Sequence, residues 1–287
     1  MSSSSSPSSS SFSTPFSITR TTTRMRRITA VVRLLLVRLI LCSAPVAMAQ
    51  TTNALSDAEI QGRQLAQQLC DGWPDASTKT GVLQIRDPQR KSSEIPLKCA
   101  VMVTATNWRS FYGAKPTNQT VALWVIHAPG QANEYFYHTN SPGEIPVLGD
   151  IPVLGHLFRS HQVSGAELMT PFAGSDFWIT DLGLEFFHWP AQKILKKEVK
   201  RSRGCTVLES TNPEPSPGGY SRVVSWIDSE TLGIVQAEAY DTNGKLLKEF
   251  YPKDFKKVKG QWQVGSMDID NVQTGSRTRM EFDLQNE

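Results

Sequence analysis

Short segments in which apolar and polar residues alternate follow one another along most of the chain, and this alternation is the strongest constraint on the fold. In the last segment, Thr278, Met280, Phe282 and Leu284 share one face, and charged residues occupy the other. A period of two is typical of a β-strand with one buried and one exposed side. Such strands pair in antiparallel sheets that are covered on one face.

Turn-forming residues separate these segments at the spacing of hairpins. The clearest turn is Asp241-Thr-Asn-Gly244, because Asn-Gly suits the positive φ that tight hairpins require. About eleven strands are predicted in this way, and a flat sheet of that width would curl or split. We therefore expect an α+β, mainly β fold, namely a strongly curved antiparallel sheet or incomplete β-barrel of about eleven strands with short helices as a lid.

Two helical regions interrupt the strand pattern. Ser56 and Glu59 form a capping box before an apolar stripe that ends near Cys70, which predicts a first helix. Residues 172–190 are rich in Phe and Trp and contain Ser175, Asp176 and Asp181, which we interpret as helix-starting residues. This aromatic segment is predicted to form one or two short helices whose apolar face lies against the sheet.

The start of the chain has the composition of a targeting region. Residues 1–24 are mostly Ser and Thr, so we expect them to be disordered. Residues 25–49 follow the signal-peptide pattern of a basic start, an apolar stretch and the cleavage motif Ala47-Met-Ala49. We expect Met25 as a candidate start, cleavage after Ala49 and a single periplasmic domain over residues 50–287. A membrane anchor is the alternative, but its apolar stretches fall short of the ~20 residues that a span needs.

Removal of residues 1–49 changes the charge of the protein. This region carries six Arg and no acidic residue, so the remaining 238 residues have 24 basic and 27 acidic side chains and a net charge of −3. Without a basic surplus we expect no nucleic-acid partner, and we expect a soluble monomer. The basic run over residues 193–203 is interpreted as a solvated strand face, with anionic lipid headgroups as an alternative partner.

Three cysteines remain after cleavage: Cys70, Cys99 and Cys205. An odd number in an exported protein allows one disulfide, and a Cys70–Cys99 bond would tie the first helix to an early strand. Ordinary buried thiols are the other alternative, since free cysteines are often buried. The sequence leaves both open.

No motif for catalysis is present. The sequence lacks a Gly-x-Ser-x-Gly elbow, a phosphate-binding loop and a dinucleotide fingerprint. Asp176 and Asp181 are better explained as helix caps than as a catalytic pair. We therefore expect no catalytic residue, no bound metal and no cofactor, and the spacing of the histidines agrees with this. These are His127, His138, His156, His161 and His188.

The order and spacing of several short motifs resemble the outer-membrane lipoprotein-sorting protein family, relatives of the periplasmic lipoprotein carrier LolA. The resemblance extends over residues 164–284 and is weaker, at the level of general architecture, before them. The motifs are Phe172-Ala-Gly-Ser-Asp-Phe177, Asp181-Leu182, Cys205-Thr-Val-Leu-Glu209, Tyr220, Val223-Val-Ser-Trp-Ile-Asp228, Ala239-Tyr-Asp241, Gly244-Lys-Leu-Leu-Lys248 and Arg277-Thr278.

This resemblance implies an internal apolar cavity, a helical lid and the carriage of acyl chains of lipoproteins or lipids toward the outer membrane, without catalysis. Partners in the inner- and outer-membrane sorting machinery are implied as well. The physical basis is that an exposed CH₂ group costs about 0.8 kcal/mol in water. On this hypothesis six residues form the apolar lid and cavity face: Phe172, Phe177, Trp178, Leu182, Phe186 and Trp189.

Two other functions are consistent with the sequence. Residues 149–158 resemble a short signature of secretins, so a non-catalytic envelope module that docks to a secretin-like machine is one alternative. An enzyme acting on lipids or cell-wall material is the other, and it would require His188 to meet Asp176 or Asp181 in one cleft.

Overall fold

Thirteen antiparallel strands of the described residues form one open, curved sheet in a computed structural model of the protein. The structure describes residues 55–284 with the exception of residues 118, 141–160 and 259. The predicted mainly β architecture is confirmed, and the sheet is wider than the expected eleven strands. The predicted disordered start, the signal peptide and the secretin-like stretch 149–158 all lie outside the described residues.

The strand order across the sheet is β6-β5-β4-β3-β2-β1-β13-β12-β11-β10-β9-β8-β7, so the first and last strands pair with each other near its middle. The strands are β1 (Ser77–Arg86), β2 (Ser92–Val103), β3 (Trp108–Ala114), β4 (Thr120–His127), β5 (Glu134–Asn140), β6 (His161–Val163), β7 (Ala191–Lys200), β8 (Arg203–Thr211), β9 (Arg222–Asp228), β10 (Ile234–Tyr240), β11 (Leu246–Val258), β12 (Gln261–Asn271) and β13 (Arg277–Phe282).

The helical segments are short. The helix α1 (Asp57–Cys70) begins at the predicted capping box, in which the Glu59 carboxylate accepts a 2.7 Å hydrogen bond from the Ser56 amide. The helix α2 (Ile179–Leu182) lies in the aromatic segment, between 3₁₀ turns over Gly165–Met169, Phe172–Gly174 and Glu185–His188. No helix of the described part has the length and apolar composition needed to cross a membrane.

Residues 164–190, which we call the lid, cross one face of the sheet. The lid leaves the edge strand β6 and enters β7, the strand at the opposite edge. Two apolar clusters hold it there. Phe172 and Phe177 pack with Leu83 and Met280 in one cluster, and Phe187 packs with Leu208 in the other. The face of the sheet beneath the lid, the covered face, therefore carries the core.

The two faces of β13 differ in burial. Thr278, Met280 and Phe282 are buried, whereas the residues between them are only partly buried, as the alternation predicted. On the other face, Asp268 of β12 forms ion pairs with Arg277 and Arg279. These pairs satisfy a buried carboxylate on the side of the sheet away from the lid.

The helix α1 packs closely against the edge strand β7 at Gly62. A Cβ atom on Gly62 would lie 2.6 Å from the Lys193 backbone nitrogen and 2.7 Å from the Gln192 carbonyl carbon. Backbone atoms cannot move aside as a flexible side chain can. The contact between helix and strand therefore requires glycine at this position.

We expect Gly62→Ala to lower the free energy of unfolding by about 1–3 kcal/mol, because overpacking against the backbone outweighs the better helix propensity of alanine. Urea denaturation of both proteins measures the difference. Gly72→Ala is the control, since its nearest non-neighbouring atom is 3.6 Å from the added Cβ. Equal stability of Gly62→Ala and the parent protein would contradict the packing argument.

Candidate functional site

A cavity of about 810 Å³ lies between the lid and one end of the sheet. This volume is within the roughly 300–1,000 Å³ range of small-molecule sites. Its apolar lining comes from α1, the lid, the β9–β10 turn and the strands β11 and β12. The lining residues include Leu69, Phe177, Leu182, Leu184, Phe187, Leu232, Ile234, Phe250, Pro252, Phe255, Trp262, Val264 and Met267.

The cavity reaches the end of the sheet at which the turns β7–β8, β9–β10 and β11–β12 lie, which we call the mouth end. Because the strands are antiparallel, the turns β10–β11 and β12–β13 lie at the opposite end. The polar lining is concentrated at the mouth end, where Arg201, Arg203, Asp228 and Thr231 contribute. Arg203 forms ion pairs with Asp228 and Glu230. The interior is thus mainly apolar, with the Asp181 carboxylate of the lid also in its lining, and the mouth is charged.

Lys248 of β11 joins the lid to the sheet from beneath. Its side chain is 1% exposed, and its Nζ donates a 2.6 Å hydrogen bond to the Asp176 carbonyl oxygen. The same Nζ lies 3.4 Å from the centre of the Trp178 ring and 3.8 Å from the Asp181 carboxylate. Trp178 in turn stacks on Tyr220 with ring centres 4.7 Å apart. One cation therefore contacts three residues of the lid.

Asp181 collects donors from both the lid and the sheet side. It accepts a 2.8 Å hydrogen bond from the amide of Trp178, the residue that caps the start of α2. It also accepts a 3.0 Å hydrogen bond from the Tyr220 hydroxyl. Burial raises the pKa of Asp181, against the opposing effects of Lys248 and these hydrogen bonds. Burial also lowers the pKa of Lys248 to about 7, although Asp181 and Asp176 favour its charged form. The hydrogen bonds are what make burial of both groups tolerable.

Asp176 attaches the lid to the middle of the sheet. Its carboxylate accepts a 2.9 Å hydrogen bond from the Thr278 hydroxyl of β13 and a 2.6 Å bond from the Ser276 hydroxyl. The expectation that Ser175 and Asp176 start a helix is wrong, because this carboxylate bonds to the sheet. Ser175 instead donates to the Phe172 carbonyl oxygen and closes the preceding 3₁₀ turn.

The other half of the lid is held through its backbone carbonyl groups. The Tyr112 hydroxyl donates to the Leu182 carbonyl oxygen at 3.1 Å, and the Asn133 amide donates to that of Gly183 at 2.9 Å. The Gln192 amide donates to the carbonyl oxygens of Phe186 and Trp189. These bonds satisfy carbonyl groups that the short lid helices leave without an intrahelical donor.

Gly183 and Glu185 meet Tyr135 of β5. A Cβ on Gly183 would lie 2.1 Å from the Tyr135 hydroxyl oxygen, so the break in the aromatic segment is also a point of close packing. That hydroxyl donates a 2.9 Å hydrogen bond to the Glu185 carboxylate. Burial raises the pKa of Glu185 to about 7, although the bond from Tyr135 favours its charged form.

The six residues predicted for the lid and cavity face occupy three different environments. Phe177 and Leu182 line the cavity. Phe172, Phe186 and Trp189 pack in the two apolar clusters of the covered face, and Trp178 lies between Lys248 and Tyr220. The structure thus brings two of the six to the cavity and places the other four in the attachment of the lid.

Six of the lining residues belong to β11 and β12, which the sequence reasoning did not select. The bulges between Pro252 and Asp254 and between Asp254 and Phe255 interrupt the alternation of β11. After them, Phe255 and Trp262 line the cavity although both are well exposed. The available signal was Phe255 in the lysine-rich second half of β11 and Trp262 near the start of β12.

Cys70, Cys99 and Cys205 are free thiols in the structure, so the Cys70–Cys99 disulfide is not formed; Cys205 is buried, and Cys70 and Cys99 are partly exposed. Burial raises the pKa of both Cys70 and Cys99 to about 12. Such thiols are protonated and poorly reactive at neutral pH.

The candidate chemical groups do not converge. The carboxylate that acts on His188 is Asp71, which raises the pKa of this histidine against the larger lowering by burial. Asp176 and Asp181 act instead on Lys248. Within residues 55–117, 119–140, 161–258 and 260–284, no group of three or more His, Cys, Asp or Glu side chains is placed to hold a metal ion.

The fold is shared with solved structures of bacterial proteins. A DUF1329 family protein from Desulfovibrio piger has 18% identity and a TM-score of 0.58, over 79% of this chain and 92% of that one. A protein described as a putative outer membrane lipoprotein-sorting protein domain, from Vibrio parahaemolyticus, has 21% identity and a TM-score of 0.57, over 78% and 91%. A LolA superfamily protein from Nitrosomonas europaea has 14% identity and a TM-score of 0.51, over 81% and 96%.

These likenesses confirm, at the level of the fold, the resemblance to the LolA-like proteins. A family model described as "Uncharacterized protein" matches residues 154–285, which is nearly the span that the sequence motifs cover. No curated protein matches the sequence. The comparisons therefore show a shared fold, and the role of the cavity is a matter of proposal.

We expect Lys248→Met to lower the free energy of unfolding by about 3 kcal/mol, because it removes the donor to the buried Asp176 carbonyl oxygen and the cation that pairs with the buried Asp181 carboxylate. Lys245→Met, an exposed lysine in the preceding turn, is the control and is expected to change stability by less than about 0.5 kcal/mol. Urea denaturation measures both. Equal stabilities of the two variants would show that Lys248 does not hold the lid.

We expect Glu185→Gln to stabilise the protein above pH 7 and to leave it nearly unchanged below pH 4.5. The folded pKa is raised, so the unfolded chain loses its proton first as pH rises, and stability falls between those two values. The gain above pH 7 is roughly 1–3 kcal/mol, and the Gln oxygen still accepts from Tyr135. Thermal unfolding across pH measures it, with the exposed Glu214→Gln as control. If the stabilities of the parent protein and Glu185→Gln change in parallel with pH, the raised pKa of Glu185 is refuted.

Proposed function

We propose that this protein is a non-catalytic periplasmic carrier that binds the acyl chains of lipoproteins or lipids and moves them toward the outer membrane. The observation that carries this proposal is the apolar cavity of about 810 Å³ between the lid and the β9–β12 part of the sheet. The free energy of an acyl chain falls by about 0.8 kcal/mol for each CH₂ group that moves from water into an apolar site. The cavity offers aliphatic and aromatic side chains for this transfer.

The distribution of polar groups supports an amphiphilic ligand. The inner lining is apolar apart from Asp181, and Arg201, Arg203 and Thr231 lie at the mouth end. An acyl chain with a polar head could therefore place its tail inside and its head at the charged mouth. Asp228 and Glu230 already pair with Arg203, so Arg201 is the cation better placed for an anionic head.

The bonding of the lid favours carriage over catalysis. Asp176 and Asp181 are engaged by Thr278, Ser276, Tyr220 and the Trp178 amide, so both carboxylates, including that of Asp181 in the cavity lining, already have hydrogen-bond donors within the protein. The signal-peptide pattern of residues 25–49 and the description of the Vibrio parahaemolyticus domain support the periplasmic, lipoprotein-related setting.

The test uses the mature chain, residues 50–287, purified from the periplasm. Native mass spectrometry is expected to show bound acyl species, and the delipidated protein is expected to take up a fluorescent fatty acid. Val264→Trp and Met267→Trp fill the cavity and should weaken uptake at least about tenfold, because both side chains line it. Phe177 and Trp178 are unsuitable sites, since Phe177 is also part of an apolar core cluster and Trp178 stacks on Tyr220.

Val272→Trp is the matched control, because Val272 is 51% exposed and lies in the turn after β12, away from the cavity. It should bind the fatty acid as the parent does, and circular dichroism should show that all three variants are folded. A clean unliganded mass of the parent together with no fatty-acid uptake would overturn the proposal.

A further inference from the structure

The hairpin of β11 and β12 extends past its neighbours at the mouth end. Pairing between β10 and β11 reaches only Ala237 and Phe250, and pairing between β12 and β13 reaches only Ser266 and Glu281. Beyond these points β11 and β12 pair only with each other, down to Val258 and Gln261. Residues 255–258 and 260–264 thus form a two-stranded extension, which we call the projecting ribbon.

The projecting ribbon exposes two large aromatic side chains. Phe255 is 53% exposed and Trp262 is 72% exposed. Phe255 pairs with Val264, and Lys257 pairs with Trp262, so these four residues lie on one face of the ribbon. An isolated two-stranded ribbon is marginally stable in water, and exposed aromatics on it gain nothing from the core. Such a surface is typical of an interaction site.

The charges around these aromatics are mainly positive. Lys256 and Lys257 are exposed, and neither forms an ion pair with a described residue. Lys253 pairs with Asp268 on the other side of the sheet, and the nearby Asp254 carboxylate accepts a hydrogen bond from Ser266. Lysines that flank an exposed Trp and Phe favour binding to a partner whose surface is both apolar and anionic.

The neighbouring turn adds to this surface. Arg201, in the β7–β8 turn, lies 4.1 Å from the centre of the Tyr251 ring, so that turn contacts β11 just before the ribbon. Lys200 lies over Trp226, and Arg203 is paired with Asp228 and Glu230. Asp228 and Glu230 at this end are therefore already paired with a cation of the protein.

We propose that the projecting ribbon docks the protein on an anionic lipid bilayer, with Trp262 and Phe255 in the headgroup region and Lys256 and Lys257 on anionic headgroups. Trp with flanking Lys is suited to this interface, since the ring has both apolar and polar parts and the lysine stem is apolar. The inference deepens the proposed function, because the cavity reaches the same end of the sheet. Docking itself requires no filled cavity.

The test is flotation of the mature chain with vesicles of phosphatidylethanolamine and phosphatidylglycerol, compared with vesicles of phosphatidylcholine alone. The parent protein is expected to bind the anionic vesicles and to lose this binding at high salt. Two variants, Phe255→Ser with Trp262→Ser and Lys256→Gln with Lys257→Gln, should each bind at least about tenfold more weakly. Brominated lipid should quench Trp fluorescence in the parent and much less in Trp262→Phe.

Matched controls come from the opposite end of the sheet. Lys91, Lys115 and Lys245 are exposed lysines in the β1–β2, β3–β4 and β10–β11 turns, and changing all three to Gln should leave vesicle binding unchanged. Val272→Ser removes an exposed apolar side chain at that end and should have no effect. Circular dichroism checks the fold of each variant.

The cavity-filling Met267→Trp protein separates the two proposals. It should bind vesicles as the parent does while failing to take up fatty acid, so loss of carriage does not imply loss of docking. Vesicle binding that survives both ribbon variants would overturn the inference. Failure of the parent to bind either kind of vesicle would overturn it too, and a protein surface would then be the occupant to seek.

Discussion

The contact on which the covered face depends is the one between the Lys248 ammonium and the lid. A buried lysine is rare because water solvates its charge far better than a protein interior does. Here the cost is offset by a hydrogen bond to the Asp176 carbonyl oxygen, the ring of Trp178 and the carboxylate of Asp181. All three lie on one short segment, so a single side chain holds three residues of a lid whose helices are too short to be stable alone.

The attachment of the lid also explains why the apolar cavity is not filled. The aromatic residues nearest Lys248 pack into two clusters on the covered face, and they fill the sheet around β13 and β9. The strands β11 and β12 continue past that packing, where no described part of the lid follows them. A cavity results because the sheet is longer than the segment that covers it.

The sequence predicted regular elements well and the site poorly, for physical reasons. Alternation in β13 and the capping box of α1 are local patterns, and both were correct. The bulges around Pro252 shift the faces of β11, so alternation could not place Phe255 or Trp262. Composition gives no reason to bury Lys248, and only the family motif that contains it marked this position. The aromatic segment was correctly assigned to the covered face, but the bonding of its six predicted residues depends on strands far away in sequence.

The position of the lid in the chain has a mechanical consequence. It joins β6 to β7, which are the two edges of the sheet, so both of its ends are tied to opposite margins of the same surface. A flap that swings open needs one free end, and this segment has none. Widening the space beneath it must therefore separate the two margins or flatten the sheet. The stiffness that opposes opening is then a property of all the strand pairings between them, and no single hinge sets it.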